Sequence, residues 1–326
     1  MIDPGPTVSA VIIGRNEGAR LLACLASLGK GLERIIYVDS GSTDGSVAAA
    51  RAAGAEIVVL DTDTPFTAAR ARNAGIAALE RGIGPDLVQF IDGDCTLDPD
   101  WIRKATAFLM QNPKVAAVCG RRRERAPDVS VYNRMCDAEW DTPVGEAKAC
   151  GGDALIRMQA LSEVGGYNPN LIAGEEPEMC LRMRRMGWVV WRLDAEMTLH
   201  DAAMTTARQF FSRARRAGYA AAEGAAMYGA SGERHGVATT SRALVWGLVL
   251  PVIILLSCLI FGPLALWIAM IYPAQVVRLA LRDGGSRFEW ERGLLLTLGK
   301  FAECRGVLDY YWRRWRGHDA ELIEYK

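Results

Sequence analysis

Along the first third of the chain, short apolar runs alternate with stretches in which apolar residues recur every three or four positions. Apolar runs of this length predict buried strands, and the intervening periodicity predicts helices. Strands separated by helices in this way predict a parallel sheet with right-handed crossovers. The predicted strands are 8–13, 34–38, 56–60, 87–91 and 115–119, and the predicted helices between and after them are 18–28, 46–53, 67–81 and 99–110.

The pattern becomes irregular and polar from residue 121 to residue 150, which predicts a loop region. Beyond it, the periodicity predicts helices at 160–164, 177–186 and 205–224, and a further strand at 188–193. We therefore expect an α/β domain over residues 1–225, followed by a linker over residues 226–243.

The composition changes after the linker, because no charged residue occurs from residue 244 to residue 277. A single helix of that length would measure about 50 Å, well beyond the roughly 30 Å core of a bilayer. Gly262 and Pro263 lie near the middle of the run and predict a break in the helix. We predict a helical hairpin over 244–281 that either crosses the membrane or re-enters it. A buried hairpin of a soluble domain is the alternative.

Arginines flank this apolar run on both sides, at positions 234 and 242 before it and at 278, 282 and 287 after it. Because basic residues favour the cytoplasmic side of a membrane, both ends of the hairpin are expected in the cytoplasm.

The stretch YYWRRWR, residues 310–316, mixes aromatic residues with arginines as interfacial segments do. We therefore predict a cytoplasmic interfacial helical tail over residues 282–326. Residues 1–7 show no signal-peptide pattern. We expect an inner (cell) membrane protein whose catalytic domain is cytoplasmic.

Charge and cysteine usage narrow the class of protein further. The 38 basic and 38 acidic residues cancel, which argues against nucleic acid as a partner. The eight cysteines include no CxxC pair, so neither a structural zinc site nor a thioredoxin-type motif is predicted. Free thiols in a reducing compartment are the expectation.

Acidic residues follow three of the predicted parallel strands. The first strand leads into Glu17, the second into Asp39 and Asp44, and the fourth into Asp92 and Asp94. Ligands of such sheets bind outside the carboxyl ends of the strands, so these carboxylates are expected in one pocket. Their mutual repulsion calls for a cation, and Mg²⁺ or Mn²⁺ suits oxygen ligands and bridges to substrate phosphates. Taken singly, each loop could instead be a turn or a helix N-cap.

The stretches VSAVIIGRNEG, VDSGSTDGS, ARARNAG and DGD, in this order and spacing, resemble the family 2 glycosyltransferases with the GT-A fold. The similarity continues through GGDALIRMQALSEVGGYNPNLIAGEEPEMCLRMRRMGW and covers about residues 8–200. The closing sequence, which ends in LIEYK, resembles members that build bacterial exopolysaccharides. The resemblance implies a mostly parallel GT-A sheet flanked by helices, with the membrane hairpin appended.

The resemblance also implies the activity. The chain would be an inverting glycosyltransferase that moves a sugar from a UDP- or GDP-sugar to a lipid-linked or growing saccharide, in exopolysaccharide or cell-envelope glycan synthesis. A glycolipid acceptor and a membrane-anchored, non-catalytic nucleotide-sugar-binding scaffold are the alternatives. A dehydrogenase is excluded because no GxGxxG follows the first strand, and the phosphate loop of a sugar nucleotidylyltransferase is also missing.

Residue roles follow from the same resemblance. Asp39 would bind the nucleotide base, with Arg15 and Glu17 around the base and ribose, and Arg72 would face the diphosphate. The full donor-binding set is Arg15, Glu17, Asp39, Arg72, Asp92, Gly93 and Asp153. Asp94 would be the direct metal ligand, and the full metal set is Asp94, Asp92 and His200.

The catalytic base of the family lies in a Glu-Asp pair, which corresponds here to Glu175 and Glu176. A carboxylate is retained at both positions, and which of the two acts stays open. Because the pair begins a predicted helix, the helix dipole favours an ionised base, although it also favours acidic residues without any catalytic role. A hydrolase would need a protonated carboxyl group beside the scissile bond as well.

Arg213 and Arg216 lie on the predicted helix 205–224, shortly before the apolar run. They would hold a lipid-linked diphosphate acceptor or anionic headgroups, or simply form a solvated basic face. With Gln209 they faintly resemble the QxxRW element of processive synthases, but the tryptophan is missing, so chain-extending synthesis is not expected.

Overall fold

A computed structural model describes residues 5–64 and 66–317. The chain forms two compact units. The first comprises the chain up to Ala126 together with Cys136–Ala202, and the second comprises Pro127–Met135 together with the chain from Ala203 onward. The catalytic domain that the sequence predicts over residues 1–225 thus extends past the first unit into the following helix. The closing LIEYK lies outside the described residues.

The first unit contains a mixed nine-stranded sheet. Its strands are β1 Val8–Gly14, β2 Ile35–Asp39, β3 Glu56–Val59, β4 Leu87–Asp92, β5 Cys95–Leu97, β6 Val115–Glu124, β7 Gly145–Ala147, β8 Ala154–Arg157 and β9 Val189–His200. The order is β3-β2-β1-β4-β8-β6-β9-β5, and β7 pairs with β9. Strands β1 to β4 pair in parallel as predicted. The antiparallel β8 separates β4 from β6.

Helices cover the sheet, and the apolar residues of its strands pack against them. They are α1 Ala19–Ser27, α2 Ser46–Ala52, α3 Ala68–Leu79, α4 Trp101–Gln111, α5 Val131–Trp140, α6 Met158–Val164 and α7 Glu175–Arg185. Helix α3 begins where the Thr67 side chain accepts the Arg70 N–H. It packs directly on β1, since a Cβ atom on Gly75 would lie 2.3 Å from Val11 Cγ1. Residues of β1 are therefore buried over almost their whole length.

The region from 121 to 150 is more regular than its sequence predicts. Strand β6 continues to Glu124, helix α5 follows, and β7 adds a short edge. Strand β9 likewise runs on to His200 instead of ending near residue 193. Buried ion pairs replace apolar packing here, as in the pair between Arg121 and Asp137 at 3.0 Å. A polar strand of this kind leaves no apolar run for a sequence pattern to detect.

The second unit is helical over its described residues. After α5, its elements are α8 Ala207–Tyr228, α9 Val237–Leu244, a π-helical segment Val245–Val249, α10 Leu250–Phe261, a 3₁₀ segment Pro263–Met270, α11 Ile271–Arg282 and α12 Arg287–Arg316. Helix α10 ends at the predicted break, where Gly262 has a φ of +80°.

Two stretches of the second unit are long and apolar enough to cross a membrane. They are Val237–Phe261 and Pro263–Arg282. In the most apolar part of each stretch, almost no residue is buried. These stretches include most of the predicted hairpin and make its helices candidate membrane spans.

Candidate active site

The carboxyl ends of three parallel strands form the edge at which the candidate site lies. In the strand register, Gly14 of β1 pairs with Asp39 of β2, and Ile13 pairs with Asp92 of β4. Asp39 and Asp92 therefore flank the end of β1. Beyond β4, the turn at Gly93 packs against Glu17, because a Cβ atom on this glycine would lie 3.2 Å from Glu17 Cγ. Three of the acidic residues predicted from the sequence, Glu17, Asp39 and Asp92, thus lie at one edge of the sheet.

Asp39 closes the loop that follows β2. Its Oδ2 accepts the Gly41 N–H at 3.0 Å and the Ser42 N–H at 2.8 Å, and its Oδ1 accepts the Tyr37 hydroxyl at 3.0 Å. The residue is almost completely buried. Such a turn shapes the loop beside the strand ends before any ligand is present.

Arg72 joins the turn after β4 to the start of α7. The side chain is buried, and its Nη2 lies 2.9 Å from Asp92 Oδ1 while its Nη1 lies 2.7 Å from Glu175 Oε1. The guanidinium also lies 5.5 Å from the centroid of the Tyr167 ring. Burial raises the pKa of Asp92 even though Arg72 opposes this effect. A bound diphosphate would have to share Arg72 with these carboxylates.

Gly152 lets the loop before β8 approach this ion pair. A Cβ atom at Gly152 would lie 2.8 Å from both Arg72 Nη2 and Asp92 Oδ2. A larger residue would therefore push the arginine and the aspartate apart.

Asp153, a residue of the predicted donor-binding set, lies in the interior of the first unit. It is completely buried. Its Oδ1 accepts the Asp92 N–H at 3.0 Å, and its Oδ2 lies 2.6 Å from Arg122 Nη2 and accepts the Thr198 hydroxyl at 2.9 Å. Burial acts to raise the pKa of Asp153, but Arg122 and the Asp92 N–H hold that pKa below its usual range. Asp153 therefore positions Asp92.

Asp94 and His200 form a second cluster, at the junction of β5 and β9. Cys95 pairs with His200 across these strands, and the ligand atoms of Asp94, Cys95 and His200 all lie within 4.8 Å of one another. His200 Nε2 is 3.5 Å from Asp94 Oδ1, and His200 Nδ1 faces Glu124 Oε2 at 3.9 Å. An imidazole held between a ligand carboxylate and a second carboxylate is typical of metal sites.

This donor set fits a divalent cation of the Mg²⁺ or Mn²⁺ class. Asp94 supplies a carboxylate and His200 an imidazole, both buried. Asp92 is directed instead toward two arginines, since its Oδ2 also lies 3.7 Å from Arg122 Nη2. Asp94 and His200 could therefore hold the ion, whereas Asp92 faces the two arginines.

Glu176 lies on the buried side of the glutamate pair. Its Oε1 accepts the Cys150 N–H at 2.6 Å and the Cys180 thiol at 3.0 Å. Burial raises the pKa of Glu176, and these hydrogen bonds oppose the shift only in part. A carboxylate with a raised pKa is suited to accept a proton near neutral pH.

The sequence of the first unit matches a known protein family. Residues 9–160 match the model of glycosyl transferase family 2. Over these residues, just under half of the chain, the sequence is similar to that family.

Curated relatives are similar to part of the chain. Succinoglycan biosynthesis protein ExoA of Rhizobium meliloti (strain 1021) is 27% identical over 213 residues, covering 55% of this chain and 58% of the relative. Pre-mycofactocin glycosyltransferase of Mycobacterium tuberculosis (strain ATCC 25618 / H37Rv) is 28% identical over 196 residues, covering 55% of this chain and 39% of the relative. The chain thus spans about half the length of these relatives.

A solved structure supports the GT-A fold. Mannosyltransferase PcManGT from Pyrobaculum calidifontis, solved in complex with GDP-Man and Mn2+, aligns with a TM-score of 0.63 at 15% identity. The alignment covers 95% of this chain and 88% of that structure. The predicted α/β sheet with flanking helices is therefore confirmed, although the sheet is mixed rather than mostly parallel.

Two predicted residues belong to the other unit, since Arg213 and Arg216 lie on α8. Arg15 follows the end of β1, as the sequence predicts.

Sequence reasoning missed several residues of the site, among them Arg122, Glu124 and Trp140. The Trp140 ring contacts the His200 ring at 4.7 Å between centroids, and the Arg122 guanidinium lies 5.4 Å from the Trp140 ring. The missed residues lie in the polar stretch after residue 120, where the sequence has no apolar pattern that would indicate their position.

Proposed function

We propose that this chain is an inverting, divalent-cation-dependent hexosyltransferase of glycosyl transferase family 2. It would move a sugar from a UDP- or GDP-sugar to a lipid-linked or growing saccharide, in exopolysaccharide or cell-envelope glycan assembly. The proposal rests on two acidic centres of the first unit. One is the Asp94–His200 cluster, and the other is the glutamate pair that Arg72 links to Asp92.

Glu176 is our choice for the catalytic base, with Glu175 as the alternative. Glu175 already neutralises the buried Arg72 guanidinium, from which it lies 2.7 Å away. Glu176 has the raised pKa that proton acceptance from a hydroxyl group favours. In the proposed step, its carboxylate takes the acceptor hydroxyl proton while the acceptor oxygen attacks the anomeric carbon from the face opposite the leaving diphosphate. One such displacement inverts the anomeric centre.

Asp94 and His200 would hold the divalent cation, with Asp92 contributing from farther out. When bound, the cation neutralises the negative charge that develops on the departing diphosphate. Arg72 and Arg122 keep a positive charge at Asp92 whether or not the donor is present. Because a nucleoside diphosphate is then a good leaving group, no protein acid is required.

Donor recognition is assigned to the loops at the strand ends. Asp39, Arg15 and Glu17 would surround the nucleotide base and ribose, and the Gly93 turn would let the donor approach the backbone. The tight turn at Asp39, closed by the N–H groups of Gly41 and Ser42, supports a preformed base pocket.

Acceptor binding and membrane attachment are assigned to the second unit. Its two apolar stretches support attachment to the inner membrane, with the catalytic unit in the cytoplasm. Arg213 and Arg216 on α8 would contact the phosphates of a lipid-linked acceptor. The ExoA similarity supports an acceptor from exopolysaccharide assembly.

The test is a transfer and hydrolysis assay of the purified full chain in detergent, with a panel of UDP- and GDP-sugars and with Mg²⁺, Mn²⁺ or a chelator. We expect one donor to be turned over in a cation-dependent way. Asp94→Asn and Glu176→Gln should each lower the rate at least about 100-fold. The exposed Asp100→Asn is the matched control and should keep full activity. Donor binding without turnover by the unchanged chain, under every condition, would instead indicate a non-catalytic scaffold.

A further inference from the structure

Three ligand-bearing side chains of the first unit form a buried group that the proposed transfer uses only in part. Glu176 and Cys180 lie one turn apart on α7 and so share a helix face, and Cys150 comes from the loop before β8. Their ligand atoms all lie within 4.8 Å of one another, and all three residues are buried. The proposed reaction uses the Glu176 carboxylate but leaves both thiols without a role.

The two sulfur atoms lie close to the separation that a single tetrahedral ion would impose. Cys150 Sγ is 3.6 Å from Cys180 Sγ, and Cys180 Sγ is 3.0 Å from Glu176 Oε1. With Zn–S bonds of about 2.3 Å, a tetrahedral angle places two thiolates about 3.8 Å apart. Little rearrangement is needed for these three groups to ligate one ion of this size.

The donor set selects a different class of ion from that expected between Asp94 and His200. Thiolates favour Zn²⁺ and softer ions, whereas carboxylates and water favour Mg²⁺ and Mn²⁺. We propose that Cys150, Cys180 and Glu176 form a second, inhibitory site for a thiophilic divalent cation of the Zn²⁺ class. Binding replaces the two thiol protons, which are released to solvent, and involves no change of oxidation state. The fourth coordination position is filled by water.

Occupation of this site stops transfer, because a carboxylate that ligates the ion cannot accept the acceptor proton. This consequence for activity rests on the proposed function, whereas zinc binding itself does not. The two parts are therefore tested by separate measurements.

The binding measurement uses the full chain, reduced and in detergent, with excess Mg²⁺ present to compete at the Asp94–His200 cluster. After Zn²⁺ is added and the excess removed, we expect one zinc ion per chain. Its X-ray absorption fine structure should show two sulfur atoms at about 2.3 Å. The group of Asp94, Cys95 and His200 offers one sulfur, so zinc bound there gives a different spectrum. A single sulfur ligand, or no retained zinc, would overturn the proposal.

Variants identify the ligands independently. Cys150→Ser and Cys180→Ser should each weaken zinc binding more than about 100-fold. Loss of a residue that only hydrogen-bonds to a ligand usually has a smaller effect. Cys95→Ser and Cys304→Ser, which also alter buried thiols, should bind zinc as tightly as the unchanged chain. Circular dichroism checks that each variant is folded. Unchanged zinc affinity in a folded Cys180→Ser variant would contradict the assignment.

The inhibition measurement follows once a donor has been found. Zinc should abolish transfer with the same half-saturating concentration as for binding, and Cys180→Ser should need about 100-fold more. Full transfer activity with the two-sulfur site occupied would show that the site is not inhibitory. If the chain transfers no sugar at all, the proposed function fails, while the coordination measurement still decides whether the zinc site exists.

Discussion

The Arg72 guanidinium donates a hydrogen bond to the Glu175 carboxylate, with Nη1 2.7 Å from Oε1. Both side chains are largely shielded from solvent. A buried arginine of this kind needs a permanent anionic partner, because an unpaired buried charge is costly. Glu175 is thereby paired with Arg72, which supports our choice of Glu176 as the proposed catalytic base.

The first prediction concerns the pH dependence of transfer. Because burial raises the pKa of Glu176, the rate should fall on acidification at a higher pH than an ordinary glutamate, with a pKa of about 4.3, would impose. Profiles of kcat against pH measure this limb. Glu176→Gln should lower kcat about 10²- to 10⁴-fold without weakening donor affinity. Glu175→Gln should instead weaken donor binding, because it disturbs Arg72. The same kcat loss in Glu175→Gln with Glu176→Gln active would reverse the assignment.

The second prediction concerns stability and the same raised pKa. In the folded chain Glu176 keeps its proton to a higher pH than in the unfolded chain. Its contribution to stability is therefore fully present below the unfolded-state pKa and is lost as the pH rises through the folded-state pKa. Glutamine retains the oxygen that accepts the Cys150 N–H but cannot ionise. As the pH rises through this window, the melting temperature of Glu176→Gln should therefore increase relative to that of the parent. A difference independent of pH would contradict it.

The third prediction compares two adjacent arginines of β6. Arg122 lies 2.6 Å from the fully buried Asp153, whereas Arg123 pairs with Glu196 at 2.8 Å on an exposed face. Arg122→Met leaves a buried carboxylate unpaired and should cost about 3–5 kcal/mol of unfolding free energy. Arg123→Met, the matched control, should cost at most about 1 kcal/mol. Denaturant unfolding of the two variants measures the contrast, and equal losses would argue against a positioning role for Arg122.

The parallel half of the sheet was predictable because its strands and helices have sequence patterns that can be recognised locally. Strand β1 is apolar along its length, and α3 has the periodicity and Thr67 cap of an ordinary helix. The convergence of Asp39 and Asp92 then follows from strand direction alone. Any parallel arrangement of β1, β2 and β4 brings their carboxyl ends to the same edge.

The other half depends on partners that lie far apart in sequence. Glu124 ends β6 and is buried because it accepts the N–H groups of Ala126 and Ala202. Asp153 is in the donor-binding set that the resemblance implies, but its contacts with Arg122 and Thr198 could not be predicted from the sequence. No local pattern reveals which arginine a buried carboxylate will meet.

The fourth prediction tests the close approach at Gly152. Gly152→Ala would place a Cβ atom 2.8 Å from Arg72 Nη2 and from Asp92 Oδ2. The ion pair must separate, so we expect at least about a tenfold loss of kcat/KM, since small misplacements of catalytic groups cost up to about 10²-fold. The fold should persist, because the atoms that must move end flexible side chains. Gly84→Ala, which meets no atom within 4 Å, is the control. Full activity of Gly152→Ala would show that this contact is irrelevant to catalysis.

The fifth prediction concerns the helix pair of the second unit, where α8 and α12 approach each other through glycine. A Cβ atom on Gly306 would lie 1.9 Å from the Arg215 carbonyl oxygen, so the backbones must move apart in Gly306→Ala. Overpacking of this kind costs about 1–3 kcal/mol. Gly299 is on the same helix, but its Cβ atom would meet Phe210 at an ordinary 3.6 Å.

Gly299→Ala should therefore be neutral or stabilising by up to about 1 kcal/mol, because alanine favours a helix over glycine. Thermal unfolding in detergent, with hydrogen exchange of the α8 amide groups, distinguishes the two variants. Gly306→Ala should lower the protection of the amides near Tyr219, whose nitrogen lies 2.7 Å from the added Cβ position. Because both variants change the same helix by one methyl group, a difference in sign can come only from what that methyl group meets. Stabilisation by Gly306→Ala would mean that the helices are not in backbone contact at this point.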